Sequence, residues 1–134
     1  MTTRILAIYE RSPLGDLAVE NALQFARACD EAVLIVLAIP EVSGDAGQRE
    51  TLHDDLLLFV HLGQRFGIAV DGELIDAPDA ERFALEMRRW RIDHVIIVES
   101  AGKGGGNAMN CMSALKVAAE AAGATMIVVR EESP

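Results

Sequence analysis

The chain has 134 residues, 51% of them apolar, and a net charge of −9. That length suits one domain with a sizeable core, and the acidic balance argues against broad nucleic-acid binding, which takes a basic surface. No apolar run reaches membrane-spanning length. The opening MTTRILAIYERSPLG has neither a basic n-region nor a small-residue cleavage site, so it is not expected to be a secretion signal.

In chain order, Ile5–Tyr9 is a short apolar run and the expected first strand. Ser12, Pro13, Gly15 and Asp16 then supply turn and helix-start residues. From Leu17 on, Val19, Ala22, Leu23 and Ala26 recur at helical spacing. Ala32–Ile39 is apolar on both faces, as a parallel strand covered by helices should be. The loop PEVSGDAGQ follows. Leu52, Leu56, Phe59, Val60, Gly63 and Phe66 then mark a second helix, with Gly67 as its stop. Leu57, Leu58 and Leu62 widen its apolar face, which makes either a broad core face or a partner surface.

Ile68–Ile75 alternates weakly and reads as a third strand near an edge. Asp76, Pro78 and Asp79 precede a helical stripe of Ala80, Phe83, Ala84 and Met87. Arg88, Arg89 and Arg91 complement the negative end of that helix. His94–Val98 is the fourth strand, Asn107–Ala122 the fourth helix with Gly123 closing it, and Thr125–Val129 the fifth strand before a polar REESP tail. Cys29 and Cys111 have no CxxC or zinc spacing and read as reduced thiols on packed helices. His53 and His61 on the second helix read as solvated side chains, and no metal or catalytic constellation stands out.

Strict alternation of strands and helices predicts an α/β fold: a parallel sheet with helices on both faces, a three-layer αβα sandwich. In such sheets ligands bind beyond the carboxyl ends of the strands, where the strand order reverses. With the order 3-2-1-4-5, that point lies between strands one and four. The loops there are YERSPLG and ESAGKGGGNAMN. Gly102, Gly104, Gly105 and Gly106 let backbone N–H groups converge on an anion, and Lys103 adds a point charge. The loop fits neither G-x-x-x-x-G-K-[ST] nor G-x-G-x-x-G, because Lys103 comes too early and Asn107 holds the last position.

Over nearly its whole length the chain resembles the universal stress protein family, within the adenine-nucleotide α-hydrolase group. The likeness rests on RILAIYERSPLGDLAVENALQFARACDEAVLIVLAI at the front and on RIDHVIIVESAGKGGG and GATMIVVR at the back. It implies a single domain over residues 1–134, a five-stranded parallel sheet of order 3-2-1-4-5, and a cytoplasmic stress-response module acting by regulation more than by catalysis. It also implies a homodimer through strand five and, in nucleotide-binding members, ATP or AMP in the crevice.

Those members carry an acidic residue after strand one, and after strand four Gly, two residues, Gly, nine residues, then Gly-Ser or Gly-Thr. Here Glu10 takes the acidic place. Without gaps the glycine positions fall on Ser100 and Lys103 and the final pair on Ser113-Ala114; counted from Gly102 and Gly105, the third position falls on Leu115. Neither register satisfies the motif. The loop is therefore either an anion site of altered geometry or one that has lost the function. The nucleotide-site candidates are Tyr9, Glu10, Arg11 and Ser12 after strand one, Ile39 at the end of strand two, Ser100, Gly102, Lys103, Gly104, Gly105 and Gly106 after strand four, and Ser113 on the helix beyond. Tyr9 would stack on a base or plug the adenine position, Glu10 would accept a hydrogen bond from an adenine amine or ribose hydroxyl, and Ser113 would meet a phosphate. A slow nucleotide hydrolase or nucleotidyl transferase in the same crevice is the enzymatic alternative.

Overall fold

In the computed structural model, residues 2–10, 13–40, 46–76, 78–100 and 107–131 are described. They form β1 (Thr3–Tyr9), α1 (Pro13–Ala28), β2 (Ala32–Ala38), α2 (Ala46–Arg65), β3 (Ala69–Leu74), α3 (Ala80–Arg89), β4 (His94–Ser100), α4 (Asn107–Ala122) and β5 (Thr125–Glu131). The five strands make one sheet of order β3-β2-β1-β4-β5, parallel throughout.

Alternation along the strands divides the core into two halves. Ile5, Ala7 and Tyr9 of β1 join Leu34, Val36 and Ala38 of β2 beneath α1 and α2. Leu6, Ile8, Ile35 and Leu37 point the other way, onto Phe83, Ala84 and Met87 of α3 and Leu115, Ala118 and Ala119 of α4. β1 and β2 are thus buried on both faces, which is why their sequences are continuously apolar instead of alternating. β3 and β5 are the edges, and their exposure is higher.

Several boundaries differ from the sequence expectation. α1 starts at Pro13, four residues before the apolar stripe shows it, because proline is well placed in a first helical turn. α2 takes in Ala46, Gly47 and Gln48, which read as loop. β4 and β5 each run two residues further, since the ladder pairs Glu99 with Arg130 and Ser100 with Glu131. Backbone pairing carries these polar residues where no apolar pattern marks a strand. Cys29 lies in the bend past α1, half-buried, with its thiol on the Phe25 carbonyl.

Gly67 ends α2 at φ 72°, with the Ile68 N–H returning to the Gly63 carbonyl at 2.8 Å. That left-handed cap is the expected stop. Asp79 caps α3, its carboxylate accepting the Arg82 N–H at 2.9 Å. At the other end, Glu86 is only 3% exposed and accepts from Trp90 Nε1 at 3.2 Å and from Arg89 at 3.5 Å. Arg89 also donates to Glu73 of β3 at 2.9 Å. Arg89 at the end of α3 and Arg82 in its first turn thus neutralise a buried carboxylate and tie α3 to the β3 edge, as a buried charge requires. No helix among the described residues is long and apolar enough to cross a membrane.

Candidate functional site

The sheet is clamped at one end of the β1–β4 seam and open at the other. At the amino end, the Arg4 and Asp93 N–H groups reach the Asp93 carboxylate and the Arg4 carbonyl at 2.9 and 2.8 Å. The β1–β4 ladder then runs from Ile5↔His94 through Ala7↔Ile96 and stops. β1 stays paired with β2 to Tyr9↔Ala38, and β4 stays paired with β5 to Ser100↔Glu131. The two middle strands therefore part at their carboxyl ends, and a crevice opens at the topological switch.

The β2 side of this crevice is tightly tied. The Ile39 N–H donates to the Tyr9 carbonyl at 2.9 Å, and the Ile75 N–H to the Ala38 carbonyl at 3.0 Å. α1 begins directly beside the end of β1. A Cβ built on Gly15 would stand 1.9 Å from the Glu10 carbonyl oxygen and 2.9 Å from the Glu10 nitrogen. Only a residue without a side chain lets the first turn of α1 sit there, and this seating brings the positive end of the helix to the strand end.

The candidate residues divide among four situations. Glu10 is half-buried next to the start of α1, and Ile39 packs partly against the α3/α4 half of the core. Ser100 is the last residue of β4, across the ladder from Glu131. Arg11, Ser12, Gly102, Lys103, Gly104, Gly105 and Gly106 lie outside the described residues. Ser113 is exposed on α4, six residues past its first position and so about 9 Å along the helix axis. Tyr9 goes a different way: it is 3% exposed in the α1/α2 half of the core, and its hydroxyl donates to Asp55 Oδ2 on α2 at 2.8 Å. Its ring meets Phe59 edge-on at 4.9 Å. The ring is thus a peg between β1 and α2.

Sequence reasoning missed two contacts around this end of the sheet. Asp55 is one. The other is Asp76, which read as a helix-start residue; it lies just past β3 and is held by both guanidinium nitrogens of Arg49 in the first turn of α2. The bonds from Arg49 hold the Asp76 carboxyl below the usual carboxylate range. Neither pairing has a local sequence trace, because the partners are 46 and 27 residues apart. His53 and His61 are exposed on α2, and among the described residues no group of three or more His, Cys, Asp or Glu side chains is placed to hold a metal ion.

A five-stranded parallel sheet of this order is the fold of the universal stress proteins. A universal stress protein family structure from Burkholderia pseudomallei matches with a TM-score of 0.65 and 17% identity, over 95% of either chain. A universal stress protein in complex with cAMP matches with a TM-score of 0.67 and 14% identity over 96% of each chain. The Archaeoglobus fulgidus protein in complex with dAMP matches with a TM-score of 0.63 and 10% identity, over 96% of this chain and 98% of that one. At these identities the likeness is one of fold. No protein-family model and no curated protein matches the sequence.

Proposed function

We propose that this chain is a universal stress protein-like regulatory module of the cytoplasm, a stress-response protein that acts by binding, and that its crevice takes an adenine nucleotide, AMP in preference to ATP. The observation that carries the reading is the parting of β1 and β4 beyond Ala7 and Ile96, beside the seated start of α1. Solved structures of the same fold hold cAMP and dAMP.

In this reading Glu10 accepts a hydrogen bond from the ribose or the adenine amine, and the backbone at Ile39 borders the base. Gly102–Gly106 with Lys103, Ser100, Arg11 and Ser12 surround the phosphate. Tyr9 braces the β1 end against α2. Glu10 follows β1, Glu99 lies in β4, and the chain carries −9. Each further phosphate adds repulsion in that field, so the monophosphate is favoured.

A thermal-unfolding series with AMP, ADP and ATP, each with and without magnesium, tests this. AMP should raise the midpoint on the order of 5–10 °C at a hundredfold excess over its Kd. A midpoint that no nucleotide moves at millimolar concentration would remove the nucleotide from the proposal.

The same reading gives the protein a homodimer through β5. β5 is an edge strand, and Val128 on it is 42% exposed. An apolar edge with an open ladder side invites pairing with a second strand. Sedimentation should show association that Val128→Glu weakens; a variant that associates like the native chain would contradict pairing through this strand.

A further inference from the structure

α1 and α2 lie on the same face of the sheet and run in the same direction, since each joins one parallel strand to the next. Between them is a groove of about 390 Å³, lined by Val19 and Leu23 of α1 and by Phe59, Leu62 and Phe66 beside α2. Its apolar wall continues outward one turn to Leu58: Leu58 is 64% exposed, Phe66 44% and Leu62 36%, while Leu57, 58% exposed, stands on the side of α2 away from Phe59 and Phe66. Single exposed leucines need no explanation, but a contiguous set along a groove marks a contact surface. Of the two alternatives for Leu57, Leu58 and Leu62, the broad core face is therefore set aside.

The charges on this face have a definite order. On α1, Asp16 and Glu20 are exposed near the start and Arg27 near the end. On α2, Asp54 is exposed eleven residues before Arg65, the same spacing that separates Asp16 from Arg27. Eleven residues are about three turns, so on each helix the acid and the base share one side, about 17 Å apart. Arg27 lies over the Phe66 ring at 4.6 Å, which sets the basic ends of both helices level. The groove thus has Asp16 and Glu20 at one end and Arg27 at the other, with exposed Asp30 and Glu31 beyond Arg27 in the bend that follows α1. The ion pairs at Arg49–Asp76 and around Glu73 and Glu86 lie elsewhere.

We propose that this α1–α2 face docks on the same face of a second copy about a two-fold axis, with Leu58 and Leu62 of each copy at its centre. A two-fold axis perpendicular to the helices reverses the face. The Asp16 and Glu20 end of one copy then meets the Arg27 end of the other, twice, and the helix dipoles run antiparallel. The net charge of −9 on each copy does not oppose this strongly at physiological salt, where charges beyond about 8 Å are screened and the facing pairs are not. A parallel approach, or a partner with uniform charge, would set like charges together at one end.

Sedimentation velocity across a concentration series, with Val128→Glu as the background, separates this contact from β5 pairing. The expected result is a Val128→Glu protein that still forms dimers. Adding Leu62→Glu should weaken them on the order of tenfold or more. Arg27→Glu should also weaken them, and Asp16→Arg combined with Arg27→Glu should restore association, because the exchanged charges again meet opposite partners. That rescue is not expected from a folding defect, and thermal midpoints confirm that each variant is folded. A Val128→Glu protein that sediments as one chain gives the groove to another occupant and overturns the proposal. Dimers indifferent to Leu62→Glu, or a double charge variant no better than Arg27→Glu alone, overturn it as well.

Discussion

Gly15→Ala will lower the stability of the protein by about 3 kcal/mol, the upper end of what overpacking costs, and the thermal midpoint by roughly 10 °C. The sign is what makes the prediction sharp. At an ordinary helical position, replacing glycine with alanine stabilises by about 1 kcal/mol through helix propensity. Here the added methyl group would stand 1.9 Å from the Glu10 carbonyl oxygen. Backbone cannot rotate aside as a side chain can, so the first turn of α1 must lift from the end of β1. The crevice is built from those same two segments, and the AMP-dependent rise in midpoint should shrink with it. A Gly15→Ala protein as stable as the native one would show that α1 does not begin against Glu10.

Tyr9 carries the second large effect, in two parts that substitution separates. Tyr9→Ala removes a ring that is 3% exposed in the α1/α2 half of the core, and should cost about 3–5 kcal/mol. Tyr9→Phe keeps the ring against Phe59 and removes the bond to Asp55. A hydrogen bond to a charged group contributes about 1.5–3 kcal/mol, and Asp55 has further interactions, so the lower end applies. In denaturant titrations, Tyr9→Phe and Asp55→Ala should be non-additive, with a coupling of about 1 kcal/mol. Strict additivity would mean that the hydroxyl and the carboxylate do not support each other. Because the ring is committed beneath α2, Tyr9→Phe should keep the midpoint rise given by AMP. A rise lost along with the hydroxyl would put Tyr9 in the crevice instead.

Taken together, the two substitutions describe how the candidate site is held. Gly15 seats the start of α1 against the strand end, and Tyr9 fixes the strand to α2 on the same face of the sheet. The Ile39 N–H on the Tyr9 carbonyl adds the lateral tie to β2. Three elements thus hold the β1 side rigid, while the β4 side leaves the seam after Ile96. A binding site gains from such pre-organisation, because less ordering remains to be done when the ligand arrives.

The amino-acid sequence by itself determined the architecture. Ala32–Ile39 is apolar without interruption, which calls for cover on both faces, and the stripes from Val19 to Ala26 and from Ala80 to Met87 supply helices to give it. Gly67 marks the end of α2 in the sequence and stands at φ 72° in the structure. These features are local, with periods of two or 3.6 residues, and can be read without knowing what lies opposite. Tertiary structure alone decided the rest: that Tyr9 points to Asp55, that Asp76 belongs to Arg49, that Arg130 and Glu131 continue β5, and that the β1–β4 seam opens where it does. It also aligned the acid-to-base order of α1 with that of α2 along one groove. Each of these joins residues far apart in the chain, and such pairings follow from the packing of whole elements, which leaves no periodic mark on either partner.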